Sequence, residues 1–401
     1  MSYGFTERLR DRQSVAGAAV VTAVALVAAP FVLGGFQTNL LAETLCFVLF
    51  ATAFNLLYGY TGLLSFGHAM FVAAAGYTVA ITVGQISPML GIPGIFGGAS
   101  PLATWVLALV LGVVVATVLA VFIGFLSVRL EEIYFAIITL SFSMAIYVIV
   151  LQDTIGSLLG QNITNGSDGL TFVMGTVDLF GWQFRLVDIV NPLAYYFLTL
   201  IVVSLAMYAL WRIVRSPFGM ICLAIRENPE RAESLGVNVR RHRWMAFIIS
   251  GAFSGLAGAL LIPLFTNVNP QYAYWTFSAQ PVIMTVIGGP YAFLGPVVGA
   301  FTYEYLRWFI SQFPALEANW QFSLGVLLLL VVLFFNNGVA GGLIRFRNWL
   351  TVARERYRQD GVGGVVAFAR ETVVGYVRLA RRGLVKWVRS LRRRMARRLG
   401  S

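Results

Sequence analysis

Glu304 and Arg307 stand one helical turn apart inside an otherwise apolar stretch. At that spacing two side chains share a helix face. A carboxylate at membrane depth is also the residue type through which proton-driven transporters move charge. The pair therefore reads either as a coupling acid or as a plain ion pair. His68 and His242 have no cysteine or carboxylate at metal-ligand spacing, so no metal site is expected. The single lysine, Lys386, has no glycine-rich loop before it, which excludes P-loop nucleotide hydrolysis. No nucleophile–base pair stands out. These residues describe a conduit that is not an enzyme and binds no cofactor of its own.

The conduit reading follows from where charge is missing. The chain is 58% hydrophobic and 11% charged, against about 25% charged in a soluble domain. Between Glu43 and Arg129 lie 85 residues without Asp, Glu, Lys or Arg, and between Arg243 and Glu304 another 60. A membrane span needs about 20 apolar residues, so the uncharged runs hold about ten. They do not alternate as barrel strands do. The expected fold class is therefore all-α, a polytopic membrane protein of about ten helices. The helices are expected near 15–34, 39–57, 65–84, 102–127, 132–151, 190–211, 244–262, 276–288, 293–312 and 320–336. The first reads as a retained helix rather than a cleaved signal peptide. Gly251-xxx-Gly255 and Gly295-xxx-Gly299 read as close-packing helix faces. Cys46 and Cys222 suggest no disulfide.

Charge asymmetry sets orientation. Arg8, Arg10 and Arg12, the seven arginines of 212–243 and the basic tail belong in the cytoplasm; 152–188, with four aspartates against Arg185, belongs outside. Ten crossings satisfy all four placements. The net charge of +12 is carried entirely by 345–401, which hold 16 Lys or Arg and 3 acids, so the pI implies no nucleic-acid partner for the body.

Two segments carry the functional signal. Within the loop 212–243, Ser216-Pro217 and Asn228-Pro229 each read as a helix cap followed by a first-turn proline, and Gly236 as a left-handed terminator. Two short helices are expected, near 217–227 and 229–235, with Glu230 in the first turn of the second. A capped short helix projecting from a membrane body suits docking in a partner's groove; an ordinary connector is the alternative. Within 55–68, Gly59, Gly62 and Gly67 interrupt an apolar run that also holds Asn55, Tyr58, Ser65 and His68. Broken backbone at membrane depth is tolerated where it lines a cavity. These residues, with Gly288 and Gly289 before Pro290, are candidate pathway elements; a tight packing site around a hydrogen-bonded His68 is the other reading.

Glu230-Arg231-Ala232-xxx-Gly236 resembles the Glu-Ala-Ala-xxx-Gly coupling motif of ABC importer permeases, with Arg231 departing at the second position. The wider string from Ala224 through Val239, and Asn55-Leu-Leu-Tyr-Gly-Tyr-Thr-Gly-Leu-Leu-Ser-Phe-Gly-His68, resemble the high-affinity branched-chain amino acid permease family, which also includes urea and short-amide permeases. Tyr134-Phe-Ala-Ile-Ile-Thr-Leu140, Thr164-Asn-Gly-Ser-Asp-Gly-Leu170 and Leu294-Gly-Pro-Val-Val-Gly-Ala300 fit the same pattern, so the likeness covers 40–345 in order. It implies an importer permease in the plasma membrane with two ATP-binding cassette ATPase subunits, a second related permease subunit and an external solute-binding protein. ATP would be used by the partner subunits. Arg226, Glu227, Asn228, Pro229, Glu230, Ala232 and Gly236 then form the ATPase-coupling segment. The solute would be a branched-chain or related amino acid; urea or a short amide, or an ion-coupled secondary transporter, are the alternatives.

The chain thus divides into a permease domain, 1–345, and a tail, 346–401. In the tail Val373, Val377, Ala380, Leu384, Val388, Leu391, Met395 and Leu399 recur at helical steps between arginines, as in a basic amphipathic helix for the lipid surface. A disordered arm or an RNA-binding arm has the same composition.

Overall fold

The computed structural model describes residues 22–314 except 131, 180, 181, 189 and 190, together with 319, 322, 323, 325, 326 and 329. The chain divides into two compact units, Met1–Ala340 and Gly341–Ser401. The second, with the expected tail helix, lies outside the described residues, and the helix expected over 320–336 lies largely outside them.

The main helices are, in chain order, α1 (Thr22–Val32), α2 (Gly35–Thr61), α3 (Ala69–Ile81), α4 (Ser100–Ser127), α5 (Glu132–Leu151), α6 (Leu193–Val214), α7 (Pro217–Glu227), α8 (Pro229–Ser234), α9 (Val239–Phe265), α10 (Trp275–Gly288) and α11 (Gly295–Ser311); short helical turns lie at Ser87–Met89, Ile92–Phe96 and Thr154–Leu159. Among the described residues six helical stretches are long and apolar enough to cross a membrane: Gly35–Thr61, Ala69–Met89, Ile92–Ser127, Ile133–Leu151, Leu193–Val214 and Val239–Phe265. At 1.5 Å per residue, α10 is about 21 Å long, short of a hydrocarbon core of roughly 30 Å.

α2 is the centre of the unit. Every residue from Thr44 to Leu57 is buried, because α9, α6, α11 and α10 pack around it. That explains an apolar sequence with no polar stripe. α9 lies against α4 along a seam of small residues. A methyl group added at Gly251 would meet the Ala120 Cβ at 2.6 Å, and Gly255 faces Ala116. Small residues at four-residue steps on both helices let the backbones approach, which gives dispersion contact where lipid removes the hydrophobic drive.

One end of the molecule carries Arg129 and the arginines of 212–243; call it the basic end. The other, acidic end gathers 152–188, the 266–269 turn and the 97–99 turn, since β1 (Leu170–Thr171) pairs antiparallel with β4 (Asn267–Val268) and Gly98 rests on Asp178. There Asp153 sits at φ +45° and accepts from the Thr164 N–H and hydroxyl, both at 2.9 Å, and from the Ile163 N–H at 3.0 Å. Its surroundings push the carboxyl up by desolvation, but these hydrogen bonds outweigh that and hold it below the ordinary carboxylate value.

Several expectations need correction. The all-α reading missed β1, β4 and the hairpin of β2 (Thr176–Leu179) and β3 (Trp182–Arg185). α2 runs through Gly59 to Thr61 and stops at Gly62, whose φ is +78°, so the break in 55–68 is confined to 62–68. α3 starts at Ala69 rather than 65 and continues through a π-helical turn, Thr82–Ile86, to Met89. α9 starts five residues early because the Asn238 side chain caps it, accepting from the Arg241 N–H at 2.9 Å.

Candidate functional site

At the basic end the two segments singled out in the sequence meet. α7 begins at Pro217 and buries Gly219, Cys222 and Ile225. Its packing pushes the Cys222 thiol up to about 12 by desolvation, so that cysteine stays protonated and unreactive. Ser216 occupies the cap position, but its hydroxyl donates back to the Ile213 carbonyl at 2.7 Å and caps nothing. Asn228 does cap α8: its side-chain oxygen accepts from the Arg231 N–H at 2.8 Å. α8 ends in a Schellman arrangement, with the Gly236 N–H on the Glu233 carbonyl at 2.9 Å and the Val237 N–H on the Ala232 carbonyl at 3.1 Å. Gly236 has φ +86°, a region that side-chain-bearing residues avoid. Ala232 turns inward, whereas Glu230, Glu233 and Leu235 are exposed.

Arg226, in the last turn of α7, joins this segment to α2. Its guanidinium donates to the Gly59 carbonyl, pairs with Glu227 at 3.0 Å and lies 5.0 Å from the centroid of the Tyr291 ring. Arg226, Glu227, Tyr58, Gly59 and Gly62 line a cavity of about 380 Å³ together with Pro290 and Tyr291. The glycines make the approach possible. A methyl at Gly59 would strike the Asn55 side chain and the Pro290 carbonyl, and one at Gly62 would meet the Arg226 Cγ at 3.1 Å. Asn55, one turn before Gly59, is 1% exposed, and neither atom of its amide has a hydrogen-bond partner among the described residues. An unpaired buried amide is costly, so it marks a place where water or a ligand is expected.

The remaining pathway candidates lie elsewhere. Ser65, Gly67 and His68 form a sealed cluster. The Ser250 hydroxyl donates to the Ala53 carbonyl at 2.6 Å, so its oxygen accepts from His68 Nε2 at 2.8 Å. That puts the ring proton on Nε2, and Nδ1 accepts from the Ser65 hydroxyl at 3.0 Å. The edges of Phe54, Phe71 and Phe247 surround the ring. Gly67 packs on the Thr139 carbonyl of α5, and the start of α3 is fixed by Ser278 of α10, which accepts from the Ala69 N–H at 2.9 Å. Gly288 lies against Gly295 and Gly299, and Gly289, at φ +100°, ends α10. Sequence reasoning missed Tyr291, Ser250 and Glu43. Tyr291, directly after Gly288-Gly289-Pro290, and Ser250, directly before Gly251-xxx-Gly255, stand beside marked motifs; Glu43 does not.

Glu304 is 1% exposed and 3.7 Å from Arg307, which also reaches Glu43 of α2 at 3.4 Å. The expected pair is therefore a three-membered bridge between α2 and α11.

Long apolar helices around a buried centre, with a short helix pair at one end, define a polytopic membrane protein. Residues 36–332 match the family described as branched-chain amino acid transport system / permease component, and the chain belongs to that family. It is similar to the high-affinity branched-chain amino acid transport system permease protein LivM of Escherichia coli, 27% identical over 67% of this chain and 62% of that protein. It is also similar to the probable branched-chain amino acid transport permease protein LivM of Methanocaldococcus jannaschii, 26% identical over 68% of this chain and 79% of that protein. The guanosine ABC transporter permease protein NupQ of Bacillus subtilis is 31% identical over 22% of this chain and 27% of its own length. The chain thus spans about three fifths of the Escherichia coli relative. No solved structure matches.

Proposed function

We propose that this chain is a membrane-spanning permease subunit of an ATP-driven importer for branched-chain or related amino acids. It works with two ATP-binding cassette ATPase subunits, a second related permease subunit and an external solute-binding protein. The family match over 36–332 carries the reading. Branched-chain relatives align with about two thirds of the chain and the guanosine permease with about a fifth, which favours an amino acid over a nucleoside. In this reading the basic end is cytoplasmic, about ten helical segments enter the membrane and the tail after 345 rests on the lipid surface.

The coupling segment is 226–236, with α8 docked on an ATPase. Its support is local: a capped start, a glycine-terminated end, exposed Glu230 and Leu235, and a direct contact from Arg226 to the Gly59 carbonyl. Motion of α8 reaches the end of α2 through α7. The cavity beside Gly59, with the unpaired Asn55 amide next to it, is the inner part of the pathway, whereas the sealed His68 cluster favours a fixed hinge for the 62–68 break.

Replacing Gly236 with valine tests the docking. A β-branched residue at φ +86° costs about 1–2 kcal/mol. There is open space around this position, so no clash adds to the cost. The Gly236→Val protein should insert and fold yet lose ATPase copurification and uptake. Full solute-stimulated ATP hydrolysis in that variant would remove α8 from the interface.

A further inference from the structure

Away from the coupling segment, the last turn of α4 and the first turn of α9 enclose a cavity of about 280 Å³ at the basic end. Phe125, Trp244, Arg240 and Arg241 are among its lining residues. Arg129 stands 4.5 Å and Arg240 6.0 Å from the centroid of the Phe125 ring, so two cations flank one aromatic group. Trp244 packs edge-on against Phe125 at 6.1 Å, and its indole N–H donates to the Val121 carbonyl at 3.1 Å. Gly124 allows that closeness, since a methyl there would meet Trp244 at 2.9 Å. Among the described side chains no carboxylate pairs with Arg129, Arg240 or Arg241.

The cavity also continues into an apolar strip. α4 exposes Val114, Val118, Val121, Phe122 and Phe125 on its outer surface. From Val114 to Phe125 the helix rises about 16 Å, close to half the roughly 30 Å hydrocarbon core. Three guanidinium groups with no carboxylate partner among the described side chains, above an apolar strip the length of an acyl chain, match an amphiphile with an anionic head. A free anion would use the head of the groove and leave the strip bare.

We propose that this groove is a binding site for an anionic phospholipid, with the phosphate held by Arg129, Arg240 and Arg241 and one acyl chain laid along α4. The proposal needs only that the chain is a membrane protein, not that it is an importer. The interfacial tryptophan fixes the depth of the headgroup, and the paired guanidinium–ring contacts hold two of the arginines in place before the lipid arrives.

Native mass spectrometry of the full chain in detergent, with phosphatidylglycerol or phosphatidylcholine of the same acyl chains, reads the site directly. Phosphatidylglycerol should be retained in preference. Retention should fall about fivefold for each of Arg129→Gln, Arg240→Gln and Arg241→Gln. Arg212→Gln and Arg231→Gln, which remove the same charge elsewhere at this end, should leave it unchanged. An unaltered thermal transition in phosphatidylcholine shows that each variant is folded. Equal loss from the two control variants would reduce the site to general surface charge and overturn the proposal. So would displacement of the lipid by inorganic phosphate at matching concentration, which would make this a free-anion site. Expulsion of the lipid on addition of the second permease subunit would make the α4 face a subunit interface instead.

Discussion

Arg226 holds three groups at once: a backbone carbonyl of α2, the neighbouring Glu227 and the face of Tyr291. A guanidinium does this better than an ammonium, because its planar fork donates in-plane while its face stacks. The arrangement fastens the proposed coupling segment to the turn where α2 ends and to the turn after α10. Loosening it should uncouple the two. Arg226→Ala should raise ATP hydrolysis in the absence of solute severalfold while lowering uptake, and Arg226→Lys should lie between. Parallel assays of hydrolysis and uptake in reconstituted vesicles check this; an unchanged ratio of solute-stimulated to basal hydrolysis would make Arg226 a packing residue only. The residues of this contact were half legible in the sequence. Gly59, Gly62, Arg226 and Glu227 lie in motifs of unusual composition, and the chemistry of each can be read singly. Their meeting could not be read, because the contact joins positions 167 apart. Tyr291 and Ser250 escape for the same reason: each stands beside a glycine motif, but the partner it meets is distant in sequence.

At the scale of elements, what was legible depended on how local the cause is. Asn228 and Gly236 bound α8 within one residue of expectation, since a cap and a positive φ are set by a few neighbouring atoms. The glycine pairs on α9 and α11 are packing faces, as their spacing implies, because a small residue every four positions lets a neighbouring helix approach. The short strands were not legible: Leu170 pairs with Val268 across almost a hundred residues of intervening chain. The bridge between α2 and α11 also emerged only in three dimensions, and it bears on mechanism. A proton-carrying acid must exchange partners during transport, whereas Glu304 is buried against Arg307, which is tied to Glu43. Two carboxylates sharing one arginine form a structural tie. Glu304→Gln should therefore preserve uptake within about twofold and leave its pH profile unshifted, at some cost in thermal stability from the weakened bridge. Transport assayed across pH in the variant decides the matter: abolished uptake with normal insertion would revive an ion-coupled machine.

For the whole molecule, connectivity and charge answer different halves of one question. The described helices carry the chain from Arg129 at one end through α5 to Asp153 at the other, back through α6 to the arginines of 212–243, and out again through α9 to the turn that pairs with Leu170. The segments 152–188 and 212–243 must therefore lie on opposite sides of any membrane the chain spans. We place 212–243 on the cytoplasmic side, a proposal that rests on the excess of arginine in this short loop. Ser167 and Ser234 are exposed at the two ends, and each accepts a cysteine without touching the core. Cys46 and Cys222 are both buried, so replacing them leaves a clean background at little cost to the surface. In sealed cells a membrane-impermeant maleimide should label Ser167→Cys and leave Ser234→Cys unlabelled until the membrane is opened. Labelling of both in sealed cells would contradict the fold, because no crossing would then separate them. Labelling of position 234 alone would keep the fold and invert it, which would place α8 outside and rule out its docking on an ATPase. The experiment thus tests the architecture and the coupling proposal with separate outcomes.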